Sequence, residues 1–169
     1  YYCPYTANLR DRLLTNNKLA TLRKLLSLVG ILLQNVHLRF CEFNNLYSQA
    51  NQIIKSRTDI KAIVISGNPF IQFKFGYMLH KLHNLPWIAD YRDAWTTSTI
   101  NNLESNMMLW LLTKYHQYFE KKWVSTASYI TASSESISES VTKLTGVVGV
   151  PIYNGFEPNE FNAFHNTVK

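Results

Sequence analysis

The chain has 169 residues, of which 46% are hydrophobic and 14% aromatic, so it is about one domain long and is not a disordered protein. Its 17 Lys and Arg against 11 Asp and Glu give a net charge of +6, but the cations are scattered and no zinc-finger spacing or aromatic RNA-binding motif accompanies them. Nucleic acid is therefore not an expected partner. Two cysteines are too few for a disulfide framework, and no apolar run reaches the roughly 18–20 residues that span a bilayer. We expect a cytoplasmic protein.

Residues 1–60 are predicted to form a helical region. Leucine and valine recur at helical spacing over 17–40, with Lys18, Arg23, Lys24 and Arg39 among them. Two interpretations stay open for this segment: an interfacial helix on an anionic membrane surface, or a helix that packs on the core and has a polar back. A second helix is predicted over 39–57.

From residue 61 to 156, short apolar runs alternate with helical segments. Strands are predicted at 61–65, 85–89, 128–132 and within 147–153, with helices at 70–83, 103–123 and 133–144. This alternation predicts an α/β fold, a Rossmann-like parallel sheet with helices on both faces. Residues 157–169 have weak periodicity, and we interpret them as an exit linker.

The unusual residues directly follow the predicted strands, where ligands bind to open parallel sheets. Ser66-Gly67-Asn68-Pro69 joins a strand to a helix, and it is either a tight turn or a backbone site for an anionic group. Ser133 and Ser134 follow the third strand, and Asn154-Gly155-Phe156 follows the fourth. Four such loops can converge on one cleft.

The densest of these loops is Asp90-Tyr91-Arg92-Asp93-Ala94-Trp95. We interpret Asp90 as structural and Asp93 as functional, able to accept a hydrogen bond from a sugar hydroxyl. Arg92 could clamp a phosphate or carboxylate through its fork, and Trp95 offers a flat face on which a sugar ring could stack. The alternative is a structural Asp–Arg pair beside a core tryptophan. Glu120-Lys121-Lys122 is interpreted as a solvated face near a helix end, and the alternative is a carboxylate that reaches back to the cleft.

Five segments, in this order, carry a family resemblance: Ile65-Ser66-Gly67-Asn68-Pro69, Trp87-Ile88-Ala89-Asp90-Tyr91-Arg92-Asp93-Ala94-Trp95, Phe119-Glu120-Lys121-Lys122, Ile130-Thr131-Ala132-Ser133-Ser134 and Ile152-Tyr153-Asn154-Gly155-Phe156-Glu157. Together they resemble the amino-terminal domain of family 4 glycosyltransferases, which are retaining enzymes with the two-domain GT-B fold. The resemblance covers 61–161 well and 1–60 loosely.

The resemblance implies one half of a GT-B fold that lacks its first strand. Such enzymes transfer a sugar from a nucleotide-sugar to a hydroxyl of a sugar or lipid-linked acceptor, in the synthesis of cell-surface polysaccharide or glycolipid. The resemblance implies no metal and no cofactor beyond the donor substrate. It also implies a location in the cytoplasm or at the inner face of the plasma membrane. A chain without the donor-binding domain is expected not to turn over by itself.

By position, the resemblance gives Asp93 the catalytic role. It places on the acceptor side of the cleft the residues Ser66, Gly67, Asn68, Asp90, Arg92, Trp95, Ser133 and Ser134. It places near the crossing to the donor domain the residues Asn154, Gly155 and Phe156. Two other functions stay open: a non-catalytic sugar- or nucleotide-binding module, and a membrane-peripheral interaction domain that uses 17–40.

Overall fold

The computed structural model describes residues 20–98 and 107–155. In chain order these residues form α1 (Ala20–Val36), α2 (Asn44–Ser56), β1 (Ile63–Ser66), α3 (Phe73–His83), β2 (Trp87–Tyr91), α4 (Met107–Val124), β3 (Tyr129–Ala132), α5 (Glu135–Thr145) and β4 (Gly149–Pro151). Short 3₁₀ turns at Leu38–Phe40 and Phe70–Gln72 precede α2 and α3. The predicted alternation of strands and helices is confirmed.

The four strands form one parallel sheet in the order β1-β2-β3-β4. Helix α3 packs on β1 and β2, and α5 packs on β3 and β4, with α4 between these two helices. The predicted α/β class, with a Rossmann-like parallel sheet flanked by helices, is therefore confirmed. The prediction placed helices on both faces, whereas in the part of the chain that the structure describes one face of the sheet exposes Val64, Tyr129 and Val150.

The core lies between the sheet and its helical layer. Trp87, Ala89 and Tyr91 alternate along β2 and are fully buried, since successive side chains of a strand point to opposite faces. Gly76 of α3 lies directly against this row, because a Cβ atom added there would come 2.4 Å from the Trp87 ring. The glycine lets α3 approach the sheet closely enough to bury the indole.

Two helix boundaries differ from the prediction. The helix expected over 39–57 begins at Asn44, because the backbone at His37 is extended and its ring accepts the Arg39 N–H, which starts a 3₁₀ turn. The start predicted at 103 for the long helix lies outside the described residues, as do Phe156 and the proposed linker 157–169.

The predicted ends of α5 are confirmed. The Ser134 hydroxyl accepts the Ile137 N–H at 3.4 Å, which caps the helix start, and Gly146 ends the helix with a φ of 78°. No helix among residues 20–98 and 107–155 is long and apolar enough to cross a membrane.

Candidate functional site

The carboxyl ends of the strands lie side by side and are held there by backbone hydrogen bonds. The Gly67 N–H donates to the Asp90 carbonyl at 2.7 Å, and the Ser133 N–H donates to the Tyr91 carbonyl at 2.9 Å. The loops after β1, β2 and β3 therefore start from one continuous edge. This is the edge at which open parallel sheets bind ligands.

Asp90 joins three strands through its carboxylate. One oxygen accepts the Ser66 hydroxyl at 2.8 Å and the other accepts the Thr131 hydroxyl at 2.7 Å. The three residues are in register on neighbouring strands, so their side chains point to the same face. Both Asp90 oxygens are engaged within the protein, which agrees with the structural role predicted for it.

Arg92 links the loop after β2 to the segment after β4. Its guanidinium donates to the Asn154 side-chain oxygen at 2.5 Å, and the Ser133 hydroxyl donates to the Arg92 carbonyl at 2.7 Å. The structure thus brings Arg92 and Ser133, which were predicted to line the acceptor side of the cleft, together with Asn154, which was predicted to lie near the donor domain. Arg92, Asn154 and Gly155 are all exposed and accessible to a ligand.

Asp93 lies between these anchored groups and is itself exposed. Within residues 20–98 and 107–155, no hydrogen bond or ion pair engages its carboxylate. Its backbone is held on both sides, at the Arg92 carbonyl and at the packed ring of Trp95. The arrangement is a positioned main chain that carries a carboxylate with open hydrogen-bonding capacity.

Trp95 is used differently from the sequence expectation. Its ring stacks on Phe70 with centroids 5.3 Å apart and planes 5° apart, and on Trp123 at 6.1 Å and 21°. Because protein rings occupy this stacking surface, Trp95 packs the loop onto α4, which favours the core tryptophan over the sugar-stacking role. The half-buried ring still contributes to the wall of a neighbouring groove.

The turn at Ser66-Gly67-Asn68-Pro69 is explained by packing. A Cβ atom at Gly67 would lie 2.7 Å from the Phe73 ring and 2.9 Å from Phe70, so glycine is needed for close approach of protein rings. The Gly67 N–H is engaged in the sheet, and Asn68 has a left-handed φ of 78°. These facts favour the tight turn over a backbone site for an anionic group. Asn68 is exposed, and it also lines the groove described below.

Glu120 is the residue that the sequence interpretation placed wrongly. It is fully buried, where a solvated face was expected. Its carboxylate accepts the Tyr91 hydroxyl at 3.0 Å, the Thr96 N–H at 3.3 Å and the Thr96 hydroxyl. Burial raises the pKa of Glu120, and these hydrogen bonds oppose that rise. Its position three residues before the buried Trp123 was the available signal for a buried site.

Glu120 also affects the pKa of its hydrogen-bond partner Tyr91. Burial, together with the charge of Glu120, raises the pKa of Tyr91 well above its usual value of 10.0. Tyr91 therefore stays a hydrogen-bond donor at physiological pH. One carboxylate thus joins the end of β2 to Thr96, on either side of Asp93.

A groove of about 670 Å³ lies beside these loops. One wall is α1, including Val29, Gly30 and Leu33, and the other includes Asn68 and Trp95. His116 also lines it, and burial lowers the pKa of His116 below 6.5, so the ring is neutral at physiological pH. No three His, Cys, Asp or Glu side chains in the described ranges lie close enough to hold a metal ion.

The fold and this edge define a Rossmann-like α/β domain with its polar loops at the carboxyl ends of the strands. Comparisons of the chain with protein-family models, with curated proteins and with solved structures give no match.

Proposed function

We propose that this chain is the acceptor-side, amino-terminal domain of a retaining glycosyltransferase of family 4 with the GT-B fold. The reaction is transfer of a sugar from a nucleotide-sugar to a hydroxyl of a sugar or lipid-linked acceptor, in cell-surface polysaccharide or glycolipid synthesis. One observation carries the proposal: the exposed Asp93 carboxylate has open hydrogen-bonding capacity on a backbone fixed at the carboxyl edge of the sheet. The order of the strand-end segments supports it.

In this mechanism Asp93 accepts a hydrogen bond from the acceptor hydroxyl and orients it. The bond between the sugar anomeric carbon and the diphosphate oxygen breaks, and the bond to the acceptor oxygen forms on the same face. The departing phosphate oxygen takes the acceptor proton, so Asp93 positions the acceptor and does not serve as a strong base. Most of the developing charge lies on the leaving diphosphate, which groups of the donor-binding domain would neutralise.

The test is a transfer assay on the natural full-length polypeptide. UDP-, GDP- and dTDP-sugars are paired with decyl glycoside acceptors, products are identified by mass, and the anomeric configuration is read by NMR. Asp93→Asn should lower kcat/KM by about 10²-fold, because a misplaced acceptor loses the advantage of orientation.

The matched control is Asp59→Asn. Asp59 is also an exposed carboxylate, but it precedes β1 and pairs with Arg57 at 2.6 Å, at the opposite end of the sheet from Asp93. The Asp59→Asn variant should transfer sugar at the wild-type rate. Equal activity of the two variants would refute the role of Asp93, and absence of transfer from the wild type with every donor–acceptor pair would count against the enzyme.

A second candidate function, peripheral membrane association, is favoured by exposed apolar side chains on two helices. Leu25 and Val36 of α1 are 57% and 66% exposed, and all five residues of 107–111 at the start of α4 are apolar and exposed. Side chains of this kind on a chain with a net charge of +6 suit an anionic lipid surface, at the inner face of the plasma membrane. Sedimentation with anionic vesicles at low and high salt tests this, and no binding at low salt would refute it.

A further inference from the structure

The start of α4 carries an apolar stripe that is exposed to solvent. Met107, Trp110 and Leu111 lie three and four residues apart, so they share one side of the helix, and they are 78%, 47% and 54% exposed. No charged residue occurs between positions 107 and 111. This spacing of large apolar side chains is the one by which a helix binds in an apolar groove of a partner.

The groove beside α1 has complementary properties. Its volume is about 670 Å³, and its α1 wall includes Leu26, Val29 and Leu33, which are 37%, 40% and 36% exposed. Covering these side chains is favourable in proportion to the apolar area that is removed from water. The lining holds one cation, Arg39, and one carboxylate, Glu42. Because these two charges are opposite, the groove favours an uncharged, apolar occupant over an ionic one.

The α4 stripe and the groove are neighbours in the same molecule. The Tyr115 hydroxyl donates to the Leu32 carbonyl of α1 at 2.5 Å, and the Asn35 amide nitrogen lies 3.3 Å from the ring of His116, which lines the groove. Leu111 is about one helical turn before Tyr115. Because the stripe is exposed in its own chain, it does not fill the groove of that chain. A two-fold axis beside α4 would instead bring each stripe to the groove of a second copy, since a two-fold interface uses the same patches on both chains.

We propose that this chain forms a two-fold dimer in which the α4 stripe of each copy lies along α1 in the groove of the other. The exposed parts of the three stripe residues amount to about 350 Å², and the α1 wall adds about 200 Å². Two reciprocal contacts therefore bury about 1,100 Å², above the roughly 1,000 Å² that a specific interface needs. Trp110 is the expected anchor, because tryptophan dominates the energetics of such interfaces. The dimer goes beyond the proposed function and does not depend on it.

Salt separates this dimer from binding to a lipid surface, for which the same side chains would compete. Each copy has a net charge of +6, so the two copies repel each other and added salt screens that repulsion. Sodium sulfate should tighten the dimer further, because it strengthens the burial of apolar surface. Binding of a positively charged chain to anionic vesicles has the opposite dependence and weakens as salt is added.

The test is sedimentation velocity of the full chain from about 1 μM to about 500 μM, at low and at high salt. An interface of this size should give a monomer–dimer equilibrium at micromolar concentrations. Trp110→Glu should weaken the dimer at least tenfold, because it places a charge in the apolar contact. Leu82→Glu is the matched control, since Leu82 is an apolar residue of α3 that is 56% exposed. The control should stay within about twofold of wild type.

Gly30 offers a matched pair of variants on the groove side. Gly30 lines the groove, and a Cβ atom there has no neighbour within 4 Å. Gly30→Leu fills the groove and should weaken the dimer at least tenfold, whereas Gly30→Ala should stay within about twofold of wild type. A mixture of Trp110→Glu and Gly30→Leu chains retains one intact stripe and one open groove, which meet in the mixed dimer. The mixed pair should therefore associate at least about threefold more tightly than either variant does alone.

The inference is overturned if the chain stays monomeric at about 500 μM, or if neither Trp110→Glu nor Gly30→Leu weakens its dimer. A mixed pair that associates no more tightly than the separate variants would contradict the placement of the stripe in the groove. Association that continues beyond the dimer would contradict the two-fold arrangement. Binding of a monomeric chain to anionic vesicles, lost in Trp110→Glu, would identify a lipid surface as the partner and refute the dimer.

Discussion

Glu120 provides the sharpest test of how the loop that carries Asp93 is held. Its buried carboxylate accepts hydrogen bonds from Tyr91 on one side of the loop and from Thr96 on the other. Glu120→Ala removes the acceptor from both. Glu120→Gln keeps the shape and offers one oxygen and one amide donor, so its oxygen can serve Thr96 while Tyr91 turns its hydroxyl to accept.

The expected losses follow from these contacts. In Glu120→Ala the Tyr91 hydroxyl is left buried without its partner, at about 1–3 kcal/mol, and the half-buried Thr96 N–H adds about 1 kcal/mol. The space left by the side chain adds a further loss, so we expect about 3–5 kcal/mol in total. Glu120→Gln should lose less, about 1–3 kcal/mol near neutral pH, because the shape of the side chain is kept but the buried Tyr91 O–H loses its acceptor.

The pH dependence of stability supplies an independent signature. Burial raises the pKa of Glu120 above its usual value of 4.5, so the folded state holds the proton more tightly than the unfolded state does. The stability that this proton contributes is fully present below pH 4.5 and is lost as the pH rises through the folded pKa. Glutamine carries no such proton. The stability advantage of wild type over Glu120→Gln should therefore be largest below pH 4.5 and shrink as the pH rises.

Urea unfolding followed by circular dichroism between pH 4 and 8 measures both effects, and amide exchange at Thr96 reports on the loop itself. Glu139→Ala, at an exposed position on α5, is the control and should change the free energy of unfolding by less than about 0.5 kcal/mol. The reasoning is refuted if Glu120→Ala loses no more stability than this control. It is also refuted if the difference between wild type and Glu120→Gln does not vary with pH.

Three further outcomes can be checked by the same unfolding measurement. Gly76→Ala should lose about 1–3 kcal/mol, because its Cβ atom would lie 2.4 Å from the Trp87 ring, and an unchanged midpoint would contradict this packing. Gly30→Ala should gain about 0.5–1 kcal/mol, because α1 has open space there, and a loss would mean that the helix differs from the one described. His116, whose pKa burial lowers, contributes stability above pH 6.5 that is lost as the pH falls through its folded pKa; His116→Gln should remove this decline.

The arrangement of the strands could be predicted because the local composition of each run agrees with the alternation of strands and helices along the chain. The predicted runs that end at Ile65 and Ala89 are short and mostly β-branched or apolar, and they are followed at once by Ser66-Gly67 and by Asp90. Because such runs alternate with helical segments, they favour strands of a parallel sheet. The cap at Ser134 and the stop at Gly146 were equally local, so they could also be predicted.

The errors concern contacts between residues far apart in the sequence. Trp95 was left between a sugar-stacking and a core role, because no local pattern indicates that Phe70 and Trp123 stack on it. Glu120 was assigned to solvent because charge dominated its interpretation, although its partners Tyr91 and Thr96 lie 29 and 24 residues away. A buried charge is expected only where partners exist, and the sequence does not name them.

Asp90, Asp93 and Glu120 lie near one loop, but their carboxylates differ in their capacity to accept a hydrogen bond from a ligand. Asp90 and Glu120 have their oxygens engaged by hydroxyl and amide donors of the protein, so a ligand would have to displace those donors. Asp93 has no such donor among the described residues, yet its backbone is bounded by Arg92 and Trp95, which are both anchored. Binding there requires little further ordering of the chain, which is the condition under which one positioned group contributes most to orienting a substrate. Under the function that we propose, substitution of an anchor such as Glu120 should therefore lower activity through the position of Asp93, since Glu120 itself is buried and closed to a ligand.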